Sequence, residues 1–404
     1  MDAAQIMATE DRHMPGFFKK IPIVIERGEG VAVWDTAGRR YLDFTSGWGV
    51  TAIGHASPVI RQALADQAGR ILQGPSAGLT YSPARAELLA LLVSLLPPSL
   101  SRVFFANSGA EANDAVIKLA RKVTGRLNVI ATLQGFHGRT ISTASATGQA
   151  KHRERFNPLM PNYLFVPFND LTAMEETLDN SVAAVLLEPI QGEGGVNVPD
   201  PGYLPAVSAL CQRHGACLIV DEVQTGFGRT GKMFAVDGLG LAIDFMTMGK
   251  GIAGGFPFAA FAVTEQVAAR LERGDHGGTY CGNPLGCAVA KAVIEHLLGA
   301  KVLDNVRQVG QRILSRLQDW QGRFPGLIAE ARGQGLLLAM VMTSPAAAEA
   351  VYQGALAAGL FLNLTQDKIV RLFPALTLTQ GEAEEGLAIL EAVLTSAARS
   401  GAAA

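Results

Sequence analysis

The sequence is poor in cysteine. Cys211, Cys217, Cys281 and Cys287 are the only four in 404 residues, and no two stand in a CxxC pair or at zinc-finger spacing. They read as reduced, buried thiols, which fits a cytoplasmic protein, and no metal site is expected. An excess of charge of either sign is also missing: the formal net charge is −2, with no polybasic run. A field able to attract nucleic acid or anionic lipid is therefore excluded. Long apolar runs are absent too. The richest, Leu88–Leu96, ends in Pro97-Pro98 and is far shorter than the roughly 20 residues a membrane span requires. The first eighteen residues show no basic stretch leading into an apolar one, so no secretory signal is expected.

What the chain does contain is glycine, 45 residues of it, and an ordinary globular balance of 49% hydrophobic and 17% charged residues. Its length suits two packed domains. Residues 21–44 predict a small antiparallel meander, with turns at Gly28–Gly30 and Thr36–Gly38. Helices are predicted from Pro58 to about residue 70 and over Ala84–Leu96. From about 100 to 265 the pattern becomes strand, loop, helix, repeated. Strands are expected at Arg102–Phe105, Asn128–Thr132, Tyr163–Val166, Ala183–Leu187, Cys217–Val220, Phe245–Met248 and Phe258–Val263. Helices are expected between them at Ala110–Thr124, Leu171–Asp179 and Leu204–His214. Runs such as AAVLLE and ACLIVD are apolar on both faces, which points to a mainly parallel sheet covered on both sides. Residues 284–320 read as one long helical stretch. The remainder mixes strands (Leu336–Val341, Ile369–Leu372) with helices (Ala346–Ala358, Gly381–Ala398). The division that follows is an N-terminal segment, 1–50, packing with a small α+β domain, 296–404, around a large α/β domain, 51–295.

Three stretches carry chemistry. The strand ACLIVD ends in Asp221-Glu222 and breaks into a glycine-rich loop, and ligand sites of open α/β sheets lie at the carboxyl ends of strands. Read alone, Asp221 caps a turn as readily as it faces a site. Lys250, in DFMTMGKGIAGG, follows an apolar strand between glycines, where a desolvated amine has a depressed pKa and can form imines; on spacing alone, a lysine on a surface turn is the stronger reading. Ser108-Gly109-Ala110 opens a helix after VFFAN. Free N–H groups and the helix dipole there favour an anion, and Ser108 with Glu111 also fits a capping box. Gly226–Lys232 mimics a Walker loop, but Met233 stands where the metal-binding hydroxyl is required, so an ATPase is rejected.

Together these motifs resemble those of the class III, fold-type-I, pyridoxal-phosphate aminotransferases, nearest to the acetylornithine and ornithine branch. The matching segments are FFANSGAEAN (104–113), GFHGRT (135–140), EPIQGEGGV (188–196), DEVQTGFGRTG (221–231), GKGIAGGFP (249–257), HGGTYCGNPLGC (276–287) and RGQGLLL (332–338). The resemblance implies a Schiff base between Lys250 and pyridoxal 5′-phosphate, with Lys250 also the base that moves the proton. It implies Asp221 at the pyridine nitrogen, Val223 and Phe136 on the two ring faces, and Gln224 at the phenolic oxygen. Ser108, Gly109 and Ala110 would hold the phosphate, joined by Thr279 from the neighbouring subunit of a homodimer. Arg139 and Arg371 would bind the substrate carboxylates. Glu193 would pair with Arg371 when an amine donor binds and release it for glutamate, and a fixed Glu193–Arg371 salt bridge stays open beside that switch. The implied reaction is ping-pong: a terminal-amine donor leaves its nitrogen, and 2-oxoglutarate carries it off as glutamate.

The pattern departs from the family around SGWGVTAIGH (46–55), where Ala52 replaces an asparagine and Trp48 brings an indole to the site of the substrate tail. Gly78-Leu79-Thr80-Tyr81 likewise replaces a Leu-Tyr-Tyr segment. A donor resembling N-acetylornithine or ornithine leads. A 4-aminobutyrate or other ω-amine transaminase stays open, and so does an aminomutase or racemase on the same cofactor. A non-catalytic descendant would have lost Lys250 or Asp221, and both are present.

Overall fold

The computed structural model describes residues 1–399. Residues 400–404, which close the expected small domain, lie outside the described residues. A helix at Ala3–His13 comes first, started by a reciprocal Asp2–Gln5 capping box. None of its residues is buried, and it lacks the apolar stripe by which the sequence would have declared it. Then comes the meander: β1 (Ile25–Glu29), β2 (Ala32–Asp35) and β3 (Arg40–Asp43), paired antiparallel.

The central sheet has seven strands: β4 (Leu100–Ala106), β5 (Asn128–Thr132), β6 (Tyr163–Val166), β7 (Val182–Leu187), β8 (Cys217–Asp221), β9 (Phe245–Met248) and β10 (Ala259–Thr264). Their order is β4-β10-β9-β8-β7-β5-β6. Only β10 runs antiparallel to its neighbours. Every residue of β7 and β8 is buried, because helices cover both sheet faces, and this is why those strands read as unbroken apolar runs. Helix Gly109–Thr124 stops at Gly125, and helix Tyr203–His214 at Gly215, both glycines in left-handed conformation. Since β4, β5, β7, β8 and β9 are mutually parallel, the loops after all five emerge at one edge. Ser108, Phe136, Glu188, Asp221 and Lys250 lie in those loops or at their starts.

Where one helical stretch was expected at 284–320 there are two helices, Pro284–Gly299 and Val302–Arg323. The break falls at Lys301, whose φ of 51° no helix interior accommodates. The C-terminal part holds β11 (Ile328–Gln334), β12 (Leu337–Met342), β13 (Leu360–Phe361), β14 (Asn363–Thr365) and β15 (Ile369–Leu372). Four of them form an antiparallel sheet in the order β11-β12-β15-β14. β13 instead joins β3 in parallel, so the N-terminal meander and the C-terminal segment share one sheet. β11 went unread in the sequence because it is bulged and rich in charge.

Arg229, from the loop after β8, crosses to this C-terminal part. It is buried with no acid beside it and donates to the carbonyls of Leu336 and Pro374. Burial pushes its pKa down to about 9. The Walker-like stretch is a series of turns with no helix opening at its end, and Lys232 donates to the carbonyl of Asp237. Among the described residues, no helix is long and apolar enough to cross a membrane, and no cluster of His, Cys, Asp and Glu suits a metal ion. All four cysteines are free and buried.

Candidate active site

Asp221 closes β8, and its buried carboxylate is held from three directions. Oδ2 accepts from Asn113 Nδ2 at 2.7 Å and from His137 Nδ1 at 2.8 Å, while Oδ1 accepts from the Val223 N–H at 3.0 Å. A carboxylate offers about four acceptor positions, so one remains, on Oδ1. Asn113 is itself fixed: its Oδ1 accepts from Thr247 Oγ1 at 2.7 Å and its Nδ2 also donates to the His137 carbonyl. Burial disfavours a charged His137 ring, but the hydrogen bond and charge of Asp221 outweigh it and raise its pKa. Neither Asn113 nor His137 was singled out from the sequence, although both lie inside quoted motifs. Nothing local distinguishes them, since their partners stand 108 and 84 residues away.

Lys250 follows β9 at a left-handed φ of 44°, an unfavourable backbone for a side chain this long. It is only partly exposed. Burial lowers its pKa, against the opposing charge of Glu193.

Glycines make the surrounding cradle. A methyl group on Gly109 would stand 2.6 Å from Val223 Cγ1, and one on Gly138 would stand 2.6 Å from Ala110 Cβ. Any Cβ at these positions would push apart the helix start, the Val223 loop and the FHG turn. Ser108 caps the helix, its Oγ accepting from the Glu111 N–H. The expected capping box is only half made: the Glu111 carboxylate takes the Asn107 N–H rather than that of Ser108. The N–H groups of Gly109 and Ala110 have no partner among the described residues. Gln224 is buried, with both side-chain polar atoms unpartnered.

The residues thus fit pyridoxal phosphate on chemical grounds. There are free N–H donors and a hydroxyl for an anion, and an amide without partners for a ring oxygen. A carboxylate has one acceptor position spare for a ring N–H, and an amine has a lowered pKa. Phe136 is partly exposed, and its N–H is tied to Glu188 Oε2 at 3.0 Å. The other Glu188 oxygen takes the Gly192 N–H, and burial pushes this acid up to about 7. Glu188 is thus a staple between two loops.

Arg371 is 1% exposed. It donates to Asn363 Oδ1 at 2.8 Å, to the Gly192 carbonyl at 2.8 Å and to Glu193 Oε1 at 2.9 Å. Its guanidinium carbon also stands 4.7 Å from the Phe373 ring centre. Burial alone would raise the Glu193 pKa, but the charges of Arg371 and then Lys250 hold it below the usual carboxylate value. Arg139 is exposed and lies over Phe136, 5.6 Å from its ring centre. Trp48, half exposed with φ 63°, meets Phe18 edge-on at 6.2 Å. Both line a cavity of about 1000 Å³ that reaches Lys151, Asn363 and Gln366. Thr279 stands apart on an exposed loop. Its carbonyl accepts from Gln73, and it shares no hydrogen bond with the other candidate residues among those described.

The profile of the family described as "Aminotransferase class-III" matches residues 17–394. The acetylornithine aminotransferase of Methanothermobacter thermautotrophicus is 40% identical over 395 residues, covering 98% of this chain and 100% of that protein. The succinylornithine transaminase of Citrobacter koseri is 40% identical over 386 residues, covering 93% of this chain and 94% of that protein. Among solved structures, the ornithine aminotransferase of Toxoplasma gondii ME49 superposes with a TM-score of 0.94 at 31% identity, over 99% of this chain and 96% of that one.

Proposed function

This chain belongs to the class III aminotransferases, and from that premise we propose that it moves the terminal amine of an ornithine-like donor to 2-oxoglutarate. Its cofactor is pyridoxal 5′-phosphate. When bound, that group supplies an aldehyde carbon for the donor nitrogen and a protonated ring that accepts electrons as the neighbouring C–H bond breaks.

The chain's own residues do the rest. Ser108 and the N–H groups of Gly109 and Ala110 receive the phosphate at a helix N-terminus. Asp221 keeps the ring nitrogen protonated through its remaining acceptor position, while Val223 and Phe136 confine the ring faces and Gln224 meets its oxygen. Lys250 would hold the aldehyde carbon through Nζ and, once displaced by the donor, its free amine would be the base that carries the proton from the donor's amine-bearing carbon to the cofactor carbon that had been the aldehyde. An amine of lowered pKa suits that exchange. Residues 51–295 form the cofactor-holding domain, and 1–50 with 296–404 form the unit that covers it. The enzyme works in the cytoplasm as a homodimer, with Thr279 of each subunit completing the other's phosphate site.

One observation carries the assignment of 2-oxoglutarate: the pairing of the buried Arg371 with the partly exposed Glu193 at 2.9 Å. With Glu193 in place, the arginine is masked and an uncharged donor chain can lie against it. With Glu193 turned aside, the guanidinium clamps the α-carboxylate of glutamate, and Arg139 takes the far one. A donor whose distal end bears an acyl group fits the Trp48–Phe18 mouth by burying apolar surface against two rings.

The test is a donor screen with 2-oxoglutarate as acceptor, comparing N-acetylornithine, succinylornithine, ornithine, 4-aminobutyrate and simple diamines. An N-acylornithine is expected to give the highest kcat/KM. Preference for 4-aminobutyrate or a diamine would replace the donor assignment. Failure of glutamate alone to change the cofactor absorbance would defeat the 2-oxoglutarate half of the reading.

A further inference from the structure

Asn363 and Arg371 face each other across the antiparallel β14–β15 pair. The 2.8 Å bond from Arg371 Nε to Asn363 Oδ1 is thus built into the register of the hairpin. A guanidinium presents two forks to a carboxylate, one through Nε and a terminal nitrogen, the other through both terminal nitrogens. Asn363 closes the first. The Gly192 carbonyl and the Phe373 ring hold the guanidinium from two further sides. Three of its four restraints therefore do not involve Glu193.

Glu193 is held differently. Its backbone carbonyl is clamped by the tip of the same hairpin, accepting from Thr365 Oγ1 at 3.2 Å and Gln366 Nε2 at 3.0 Å. Its side chain is 27% exposed; its one close hydrogen bond is to Arg371, and the nearby Gln224 amide also helps hold its pKa down. Rotating that side chain breaks one close hydrogen bond and gives up its approach to Gln224, whereas moving Arg371 breaks all of its own contacts at once and drags a buried charge.

We propose that Asn363 is a positioning residue that keeps Arg371 stationary, with its end-on fork open, when Glu193 swings away. It thereby sets affinity for the dicarboxylate substrate more than for the amine donor. This rests on the reading of Arg371 given under the proposed function. Asn363 lies on a short edge strand and is only partly buried, so its truncation does not hollow the core.

The experiment uses the holoenzyme with Asn363→Ala and Asn363→Asp. It measures both half-reactions and, by calorimetry, binding of glutarate, a dicarboxylate that cannot react. Asn363→Ala leaves the Nε–H of a buried cation without an acceptor. KM for glutamate and Kd for glutarate are expected to rise about tenfold, the scale of one lost charged hydrogen bond. The donor's kcat/KM should fall severalfold less than glutamate's, so that the ratio of the two shifts toward the donor. Asn363→Asp keeps an acceptor at Nε but adds a permanent counter-charge, so glutarate should weaken further than in Asn363→Ala while the donor again loses less. Equal losses in both half-reactions, or an unchanged glutarate Kd, would overturn the inference. If wild-type enzyme neither responds to glutamate nor binds glutarate, the functional reading falls and the inference with it. A responsive wild type with indiscriminate variants sinks the inference alone.

Discussion

His137 Nδ1 lies 2.8 Å from Asp221 Oδ2, both groups buried, and the opposite ring nitrogen of His137 has no partner among the described residues. The ring must therefore carry its proton at Nδ1, donating to the carboxylate, and it can serve no second acceptor. Its effect is to consume one lone pair of Oδ2, as Asn113 consumes the other, and so turn Oδ1 toward the cavity.

That arrangement separates two replacements. Asn at position 137 puts an N–H₂ donor where Nδ1 stands, so His137→Asn should retain cofactor affinity and turnover within a few-fold. His137→Phe fills the volume but leaves a carboxylate lone pair unsatisfied, which costs about 1–3 kcal/mol. It should weaken cofactor binding tenfold or more and alter the pH titration of the bound cofactor's absorbance. Equal behaviour of the two variants would show that packing alone is served by the ring.

Lys250→Ala should abolish turnover and the visible absorbance of the bound cofactor while leaving the far-ultraviolet circular dichroism unchanged. The amine is not part of the hydrogen-bonded frame: its neighbours Asp221, Gln224 and Glu193 are held, or left free, without it. Retained activity would move the chemistry to another residue.

Much of this frame was legible in the chain before folding. β5, β9 and β15 appear with the bounds their apolar runs suggested, because strands buried on both faces admit little else; the half-buried edge strand β6 does too. Ser108, Phe136, Asp221 and Lys250, which come from four separate motifs, lie at a single sheet edge, whereas Arg371 comes from the C-terminal sheet and Thr279 stands apart. What the chain concealed were contacts between motifs. Asn363 looks like an ordinary polar strand residue until the hairpin puts it opposite Arg371, and Arg229 until it crosses to Leu336 and Pro374. The break at Lys301 had a local sign in Gly299, a residue type that commonly ends helices, which the long helical pattern masked.

Glu222, next to Asp221, makes stability depend on pH. It is buried without a cation, its oxygens taking Thr225 Oγ1 and the Val236 N–H, and burial pushes its pKa up to about 7. The folded protein thus holds a proton that the unfolded chain releases near pH 4.5. The contribution is fully present below that value and is lost as pH rises through 7, amounting to about 3 kcal/mol at most. Glu222→Gln, neutral at every pH, should lie near wild type at pH 5 and exceed it in urea denaturation at pH 8. A variant weaker than wild type at pH 8 would mean that the charged form is the stabilising one.

Thr279 supplies the sharpest test of the shared site. Within one chain it lies on an exposed loop and, among the described residues, bonds to none of the cofactor-facing groups, so the role proposed for it requires a second subunit. Thr279→Ala should weaken cofactor binding by about the worth of one hydrogen bond to a charged group, roughly 1.5–3 kcal/mol, and Lys250→Ala should be inactive. In a mixed dimer of these two variants, one site lacks both groups. The other combines an intact Lys250 with the intact Thr279 of the subunit carrying Lys250→Ala. Unfolding and refolding the two together should therefore recover wild-type cofactor affinity at one of every two sites in mixed dimers, with turnover in proportion. If Thr279 acted within its own chain, every mixed dimer would carry one site without Lys250 and one without Thr279, and no wild-type site would appear. The activity of the mixture, measured at cofactor concentrations too low to saturate Thr279→Ala, decides between the two.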